Sequence, residues 1–236
     1  ARIKDLDTIP SPYLEGTFDS LLADNSYKWM VTWETNRGCP FKCSFCDWGS
    51  AIATKVRKFD EGRLLNEIKY FSDNQIDLVF GADANFGIFK RDKEFALKLA
   101  EYKTTTGWPN QFRVCFTKNS TDKIFDLAKI FADAGMNKGV SVSMQSMNPQ
   151  TLKDIQRANI RLNVFKDLQK KYVAAGLVTY TELILPLPGE TYDTFVGGVN
   201  ELLDSAQHSG IVIYNCTVMP NAEMGSKEYQ EKHGFD

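Results

Sequence analysis

The stretch NRGCPFKCSFCDWG, residues 36–49, sets cysteines at 39, 43 and 46 in the spacing C-x-x-x-C-x-x-C. Three thiolates on one short loop can ligate three irons of a 4Fe-4S cube, leaving the fourth iron without a protein ligand and open to an outside molecule. An electron carrier would want that iron closed. Zinc is the competing reading. A tetrahedral zinc site usually takes four Cys or His, often as two pairs, and no second pair follows Cys39, Cys43 and Cys46, since Cys115, Cys216, His208 and His233 are far apart in the chain. Gly38 spares a Cβ where the backbone would approach a cluster, Pro40 stiffens the loop, and loop amides can donate to negatively charged sulfides.

A loop of this kind needs a frame. From about Tyr27 onward, short β-branched or aromatic runs alternate with helical patterns, as in βα units around a mainly parallel sheet. Strands are expected near Trp29 to Thr35, Asp77 to Ala82, Phe112 to Thr117, Gly139 to Gln145, Val178 to Leu185 and Ile211 to Val218. Helical spacing covers Gly62 to Asn74, Arg91 to Thr105, Thr121 to Ala134, Pro149 to Ala158, Asn163 to Ala175 and Tyr192 to His208. Asp60, Ser120 and Asn148 stand where N-caps fall, and Gly135 and Gly176 where left-handed C-caps fall. The cysteine loop directly follows the first strand. Six βα units are too few for a closed eight-stranded barrel. The expected fold is therefore α/β, a partial (β/α)6 TIM-type barrel with mainly parallel strands, whose chemistry gathers at the C-terminal strand ends. Residues 1–27, with Pro10, Pro12, Gly16 and little periodicity, read as a linker or docking arm, and 28–236 as one partial-barrel domain.

The totals agree with a single α/β core. The 236 residues are 43% hydrophobic, and 28 Lys plus Arg against 30 Asp plus Glu give a net charge of −2, no footprint for nucleic acid or an anionic membrane. No apolar run approaches the ~20 residues of a membrane span, and the opening residues lack the apolar stretch of a secretory signal. Five cysteines, three of them within eight residues, suit metal binding in a reducing compartment, so a cytoplasmic location is expected. The chain starts without Met and reads as a piece of something longer.

With Phe45 just before the third cysteine, this motif after the first strand of a βα barrel resembles the radical S-adenosylmethionine (SAM) superfamily. The resemblance implies that the methionine moiety of SAM chelates the open iron. One electron then cleaves a carbon–sulfur bond, and the 5′-deoxyadenosyl radical released abstracts a substrate hydrogen. It also implies SAM contacts at the other strand ends. GADANFG falls where the family has a Gly-Gly-Glu-like segment for the methionine amine, a role for Gly81, Ala82 and Asp83; an ordinary turn with an Asx cap is the alternative. SVSMQSMNPQTLKDIQR is similar to the strand ending in Gln-Ser whose following helix carries an Arg reaching back to SAM, matching Ser143, Gln145 and Arg157. Strand alternation puts Ser143 and Gln145 on one face. Arg157 reads equally as a fork on the methionine carboxylate or as a surface helix residue. TELILPLPGET resembles the family's acidic residue, apolar strand and Leu-Pro-Gly-Glu-Thr turn, which implies that Glu182 binds the ribose hydroxyls; a carboxylate within an apolar strand is in any case costly without a partner. Phe45 and backbone groups near Met219 would lie by the adenine, while Cys115 and Cys216 read as core thiols.

DLDTIPSPYLEG, CPFKCSFCDWG and the pairing of QS with LPGET look like the group whose members carry an N-terminal cobalamin-binding domain. Nothing before Trp29 could form that domain, and no Asp-x-His-x-x-Gly motif occurs, so cobalamin belongs to a part outside this chain. With such a part the group implies radical methylation of an unactivated carbon or phosphorus, with methylcobalamin as donor; without it, rearrangement, oxidation or another modification stays open. It further implies a small-molecule or peptide substrate and an electron donor such as flavodoxin or ferredoxin. The alternatives are an iron–sulfur binding or electron-transfer protein that does not cleave SAM, and a zinc-stabilised α/β protein.

Overall fold

The structure, a computed structural model, describes residues 3–24, 26–50, 55–118, 121–137, 139–205 and 209–235. Ser120 and His208 lie outside the described residues. In chain order the elements are α1 (Asp19–Leu22), β1 (Met30–Trp33), β2 (Asn36–Arg37), α2 (Asp47–Ser50), β3 (Arg57–Lys58), α3 (Glu61–Asp73), β4 (Leu78–Phe86), α4 (Asp92–Thr106) and β5 (Gln111–Phe116). They continue with α5 (Thr121–Asp133), β6 (Gly139–Ser141), α6 (Pro149–Asp154), α7 (Leu162–Ala174), β7 (Val178–Leu185), α8 (Tyr192–Asp204), β8 (Ile211–Asn215) and α9 (Lys227–His233). Every strand and helix expected from the sequence is present, although β6, β8, α6 and α8 stop earlier than their patterns suggest. No helix among the described residues is long and apolar enough to cross a membrane.

The chain divides into two compact units, Ala1–Arg37 with Arg57–Lys138, and Gly38–Val56 with Gly139–Asp236. In the first, β1, β4 and β5 form a parallel sheet in the order β1-β4-β5, with Trp33 opposite Gly81 and Gly81 opposite Val114. A Cβ on Gly81 would meet Val114 Cγ2 at 2.7 Å, so glycine is what lets this register pack. Trp33 anchors an aromatic core, meeting Phe95 at 5.9 Å, Phe71 at 6.0 Å and Phe112 at 6.2 Å edge to face. Its indole N–H donates to Glu67, a buried carboxylate that also accepts from the Ser11 hydroxyl at 2.6 Å and Arg63 Nε at 3.0 Å. Ser11 and Tyr13 thus fasten the N-terminal arm, with Tyr13 edge-on to Phe71 at 4.9 Å. Cys115 is exposed rather than a core thiol, because strand alternation gives the buried places to Phe112 and Phe116.

In the second unit β6, β7 and β8 form a parallel sheet in the order β6-β7-β8. Met144, Phe165, Leu183 and Leu202 fill one core cluster, and Ile155, Leu187, Met224 and Tyr229 another. Side chains cap the helices where expected. Asp60 accepts from Arg63 N at 2.9 Å at the head of α3, and Asn148 from Gln150 N at 2.8 Å at the head of α6.

Four helices end in the same six-residue motif, in which a left-handed residue turns the chain and the next amide bonds back to the fifth residue before it. Gly135 (φ 69°) and Gly176 (φ 68°) hold the turn after α5 and α7, with Met136 N donating to Phe131 O and Leu177 N to Tyr172 O. Gln75 (φ 53°) and Gln156 (φ 52°) hold it after α3 and α6, with Ile76 N donating to Phe71 O and Arg157 N to Leu152 O.

Candidate active site

The cysteine loop lies wholly in the second unit, where its backbone is seated on the end of α6. Ser44 N donates to Ile155 O at 3.0 Å, and the Ser44 hydroxyl bonds the Tyr229 hydroxyl at 3.0 Å, which in turn donates to Asp154 O at 2.9 Å. Met224 N closes the seat by donating to Ser44 O at 2.8 Å. Cys39 is buried, and Cys43 and Cys46 are half-buried. Phe45 packs into the apolar cluster of Ile155, Leu187, Met224 and Tyr229, so one side of the loop is anchored by hydrophobic contact. Gly38 at the loop's start has φ 115°, and a Cβ there would meet Lys55 O at 2.6 Å. It permits a close approach to the returning end of the loop.

Arg157 follows directly from the left-handed turn at Gln156, which folds the chain back at the end of α6. The residue is 6% exposed, so it is not a surface helix residue. Its Nη1 faces Cys43 Sγ at 4.0 Å, Nη2 donates to Ser143 O at 2.5 Å and Nε to Asn159 Oδ1 at 2.9 Å. Burial pulls the guanidinium below its usual range, opposed by the neighbouring Cys43 and, more weakly, by Glu182.

Ser143 joins Arg157 to the next strand. Its hydroxyl bonds the Glu182 carboxylate, and Ser141 Oγ lies 2.7 Å from Ser143 Oγ. Ser143 and Gln145 do not continue one regular strand, since β6 ends at Ser141 and Gln145 is left-handed at φ 66°. Gln145 is held there by β7 on both sides, its N–H donating to Glu182 O and its carbonyl accepting from Ile184 N, each at 2.8 Å. A left-handed non-glycine costs roughly 1–2 kcal/mol, which these two bonds offset. The QS and LPGET segments also meet, through Ser146 Oγ and Glu190 Oε2 at 2.5 Å.

Met219 lies beyond β8 with its side chain 44% exposed, and its carbonyl accepts from Ala222 N at 3.1 Å. Gly81, Ala82 and Asp83 are in the first unit, on β4. There Asp83 is 2% exposed, with Oδ1 accepting from Thr35 N at 2.8 Å and Asn36 N at 3.1 Å, and Oδ2 bonding the Thr35 hydroxyl. The carboxylate is committed to bracing the corner between β1 and β2, and burial pushes its pKa up to about 6.

Among the described residues no three His, Cys, Asp or Glu side chains draw together as tightly as ligands of a single metal ion. A cube makes a different demand, because its three thiolates bind three different irons. The donor set suits it. Three thiols share one seated loop, and among the described residues no carboxylate lies within ion-pair distance of the buried Arg157 beside them. An anionic cluster would supply the charge that a buried cation lacks.

A family model described as the Radical SAM superfamily matches residues 33–202. The chain belongs to the radical SAM superfamily. Its members bind a 4Fe-4S cluster and SAM, and this chain is the core of a radical SAM enzyme. It is 43% identical over 237 aligned residues to the cobalamin-dependent radical SAM methyltransferase TokK of Streptomyces tokunonensis, an alignment covering 99% of this chain and 35% of that protein. It is 42% identical to the 2-(S-pantetheinyl)-carbapenam-3-carboxylate methyltransferase of Streptantibioticus cattleyicolor, covering 96% of this chain and 34% of that protein. The chain thus spans about a third of the length of these curated relatives. Among solved structures it resembles the radical SAM methyltransferase TsrM of Kitasatospora setae with tryptophan and a SAM analogue bound, at a TM-score of 0.67 and 18% identity, over 84% of this chain and 38% of that one. That likeness gives the fold of the radical SAM core, the α/β partial barrel with mainly parallel strands.

Sequence reasoning missed Asn159, Ser44 and Tyr229. Asn159 holds Arg157 and donates to Met144 O at 2.7 Å and Ser146 O at 3.0 Å. Asn159 is two residues from a singled-out arginine, but nothing local marks Tyr229, which is 185 residues from Ser44.

Proposed function

We propose that Cys39, Cys43 and Cys46 ligate the 4Fe-4S cluster and that the strand ends of the second unit hold SAM against it, within a cobalamin-dependent methyltransferase acting on a small molecule. The observation that carries this reading is a single connected set of contacts. Cys43, singled out for iron, and Arg157, Ser143 and Glu182, singled out for SAM, touch one another in sequence within one unit.

Cys39, Cys43 and Cys46 would hold the cluster, which would supply the single electron needed to cleave a carbon–sulfur bond of SAM. The residues do the rest by position. Tyr229, Ser44 and the carbonyls of Asp154 and Ile155 keep the cysteine loop in one conformation. Glu182, oriented by the Ser143 hydroxyl, accepts hydrogen bonds from ribose hydroxyls, and Gln145 is pinned by β7 to present a neighbouring amide. Phe45 and the backbone near Met219 border the adenine. The electron comes from a small carrier such as flavodoxin or ferredoxin, which suits a reducing cytoplasm. The methyl group comes from cobalamin held by a part of the protein outside this chain, a reading supported by the name of the relative from Streptomyces tokunonensis.

The test is anaerobic reconstitution with iron and sulfide, addition of dithionite and SAM, and chromatography for 5′-deoxyadenosine. Release is expected from wild type and its loss from Cys43→Ala, while Glu182→Ala should raise the SAM concentration needed. No release above a cluster-free control, with iron bound, favours the iron–sulfur protein that leaves SAM intact.

A further inference from the structure

Arg157 is a buried cation whose charged neighbours are Cys43 and, more weakly, Glu182, neither of them in an ion pair with it. It is 6% exposed, and among the described residues no carboxylate lies within ion-pair distance of it. Burying an unpaired guanidinium is strongly unfavourable, so the fold must supply a negative partner once the site is assembled. Two of its three nitrogens are already committed to neutral acceptors, Nη2 to Ser143 O at 2.5 Å and Nε to Asn159 Oδ1 at 2.9 Å. Asn159 is itself fixed by the carbonyls of Met144 and Ser146, at 2.7 and 3.0 Å. The plane of the guanidinium is therefore set by three backbone carbonyls and one amide, and the remaining nitrogen, Nη1, faces Cys43 Sγ at 4.0 Å.

We propose that Arg157 is the built-in counter-charge of the cluster, a positioning residue that acts through the Cys43 sulfur and sets how readily the cluster takes up an electron. This rests on the reading of Cys43 as a cluster ligand. Reduction adds one electron from the external donor and moves no proton, and no bond forms or breaks. It makes an anionic centre more negative. A fixed positive charge beside one of its thiolates stabilises the reduced form over the oxidised one, and an N–H donor on the sulfur acts in the same direction. The left-handed turn at Gln156 and the clamp by Asn159 then have a purpose beyond packing: they hold a charge still against the loop.

The experiment is an anaerobic potentiometric titration, followed by electron paramagnetic resonance, of reconstituted SAM-free wild type, Arg157→Gln and Arg157→Lys. With matched iron content, the midpoint should move to more negative potential in Arg157→Gln and stay closer to wild type in Arg157→Lys, which keeps the charge. A wild-type midpoint in iron-loaded Arg157→Gln overturns the proposal and leaves the cysteine assignment standing. Wild-type protein that binds no iron overturns both. Should Arg157→Gln fail to fold, wild type grown on isotopically labelled arginine decides: a hyperfine coupling from guanidinium nitrogen to the reduced cluster, absent in Arg157→Lys, supports the proposal, and no coupling overturns it.

Discussion

A carboxylate as deeply buried as that of Asp83 lowers stability whenever it is charged, and its three donors from Thr35 and Asn36 recover only part of that cost. Its folded pKa of about 6 lies above the ordinary 3.8. Between those values the folded protein keeps a proton that the unfolded chain has released, so Asp83's contribution is greatest below the lower value and falls as pH rises through about 6. Asp83→Asn, which still offers an oxygen to the two amides, should flatten the pH dependence of the urea midpoint in that window. Asp83→Ala should lose about 2–4 kcal/mol at neutral pH by orphaning those donors. A pH slope identical to wild type in Asp83→Asn would refute the assignment. The sequence marks Asp83 as an acid at a strand end, but its partners stand 47 and 48 residues away and no local pattern names them. Arg157 shows the same limit. Helical spacing alone fits a surface arginine, and only the turn before it decides that the side chain is buried.

That turn belongs to the scale of elements. Helix ends at Gly135 and Gly176 are legible because glycine advertises a left-handed residue. Those at Gln75 and Gln156 are not, because glutamine reads as an ordinary helix former. For that reason the helical pattern that begins at Pro149 runs on to Ala158 in sequence, whereas α6 ends at Asp154. Gln156→Gly should remove the steric penalty of the left-handed conformation and raise stability by about 1 kcal/mol, seen as a higher thermal midpoint. Loss of stability would show that the exposed bond from Gln156 to Glu223, at 2.6 Å, contributes more than the strain. The early stop of β6 has a similar origin, since nothing in the run SVSMQS announces that Gln145 is left-handed. At the cysteine loop, Tyr229→Phe deletes the hydroxyl that joins Ser44 to Asp154. It should cost about 1–2 kcal/mol and lower the iron retained per protein after reconstitution. Full iron retention with unchanged stability would mean that the loop seats itself without α9.

Across the whole molecule, the βα rhythm was legible from hydrophobic periodicity, and the parallel order of the two three-stranded sheets follows from helices joining successive strands. The split into two compact units was not, because the periodic pattern runs through both without a change in composition. The cysteine loop is continuous in sequence with the end of β2, yet it belongs to the unit that also carries Ser143, Arg157 and Glu182. That grouping lets a cluster ligand and candidate SAM contacts share one framework. The relatives are about three times as long as this chain, and the proposed function puts the methyl donor outside it, so this chain alone should cleave SAM without methylating. Deoxyadenosine release without methylated product is the expected outcome, and methylated product from this chain alone would contradict that division.

The most direct measurement is the electron paramagnetic resonance spectrum of the dithionite-reduced, reconstituted protein with and without SAM. An iron left open by Cys39, Cys43 and Cys46 predicts a changed spectrum when SAM is added, and no cluster signal in a variant with all three replaced by alanine. A spectrum that SAM leaves unaltered, or a cluster that survives loss of the three cysteines, would contradict the account.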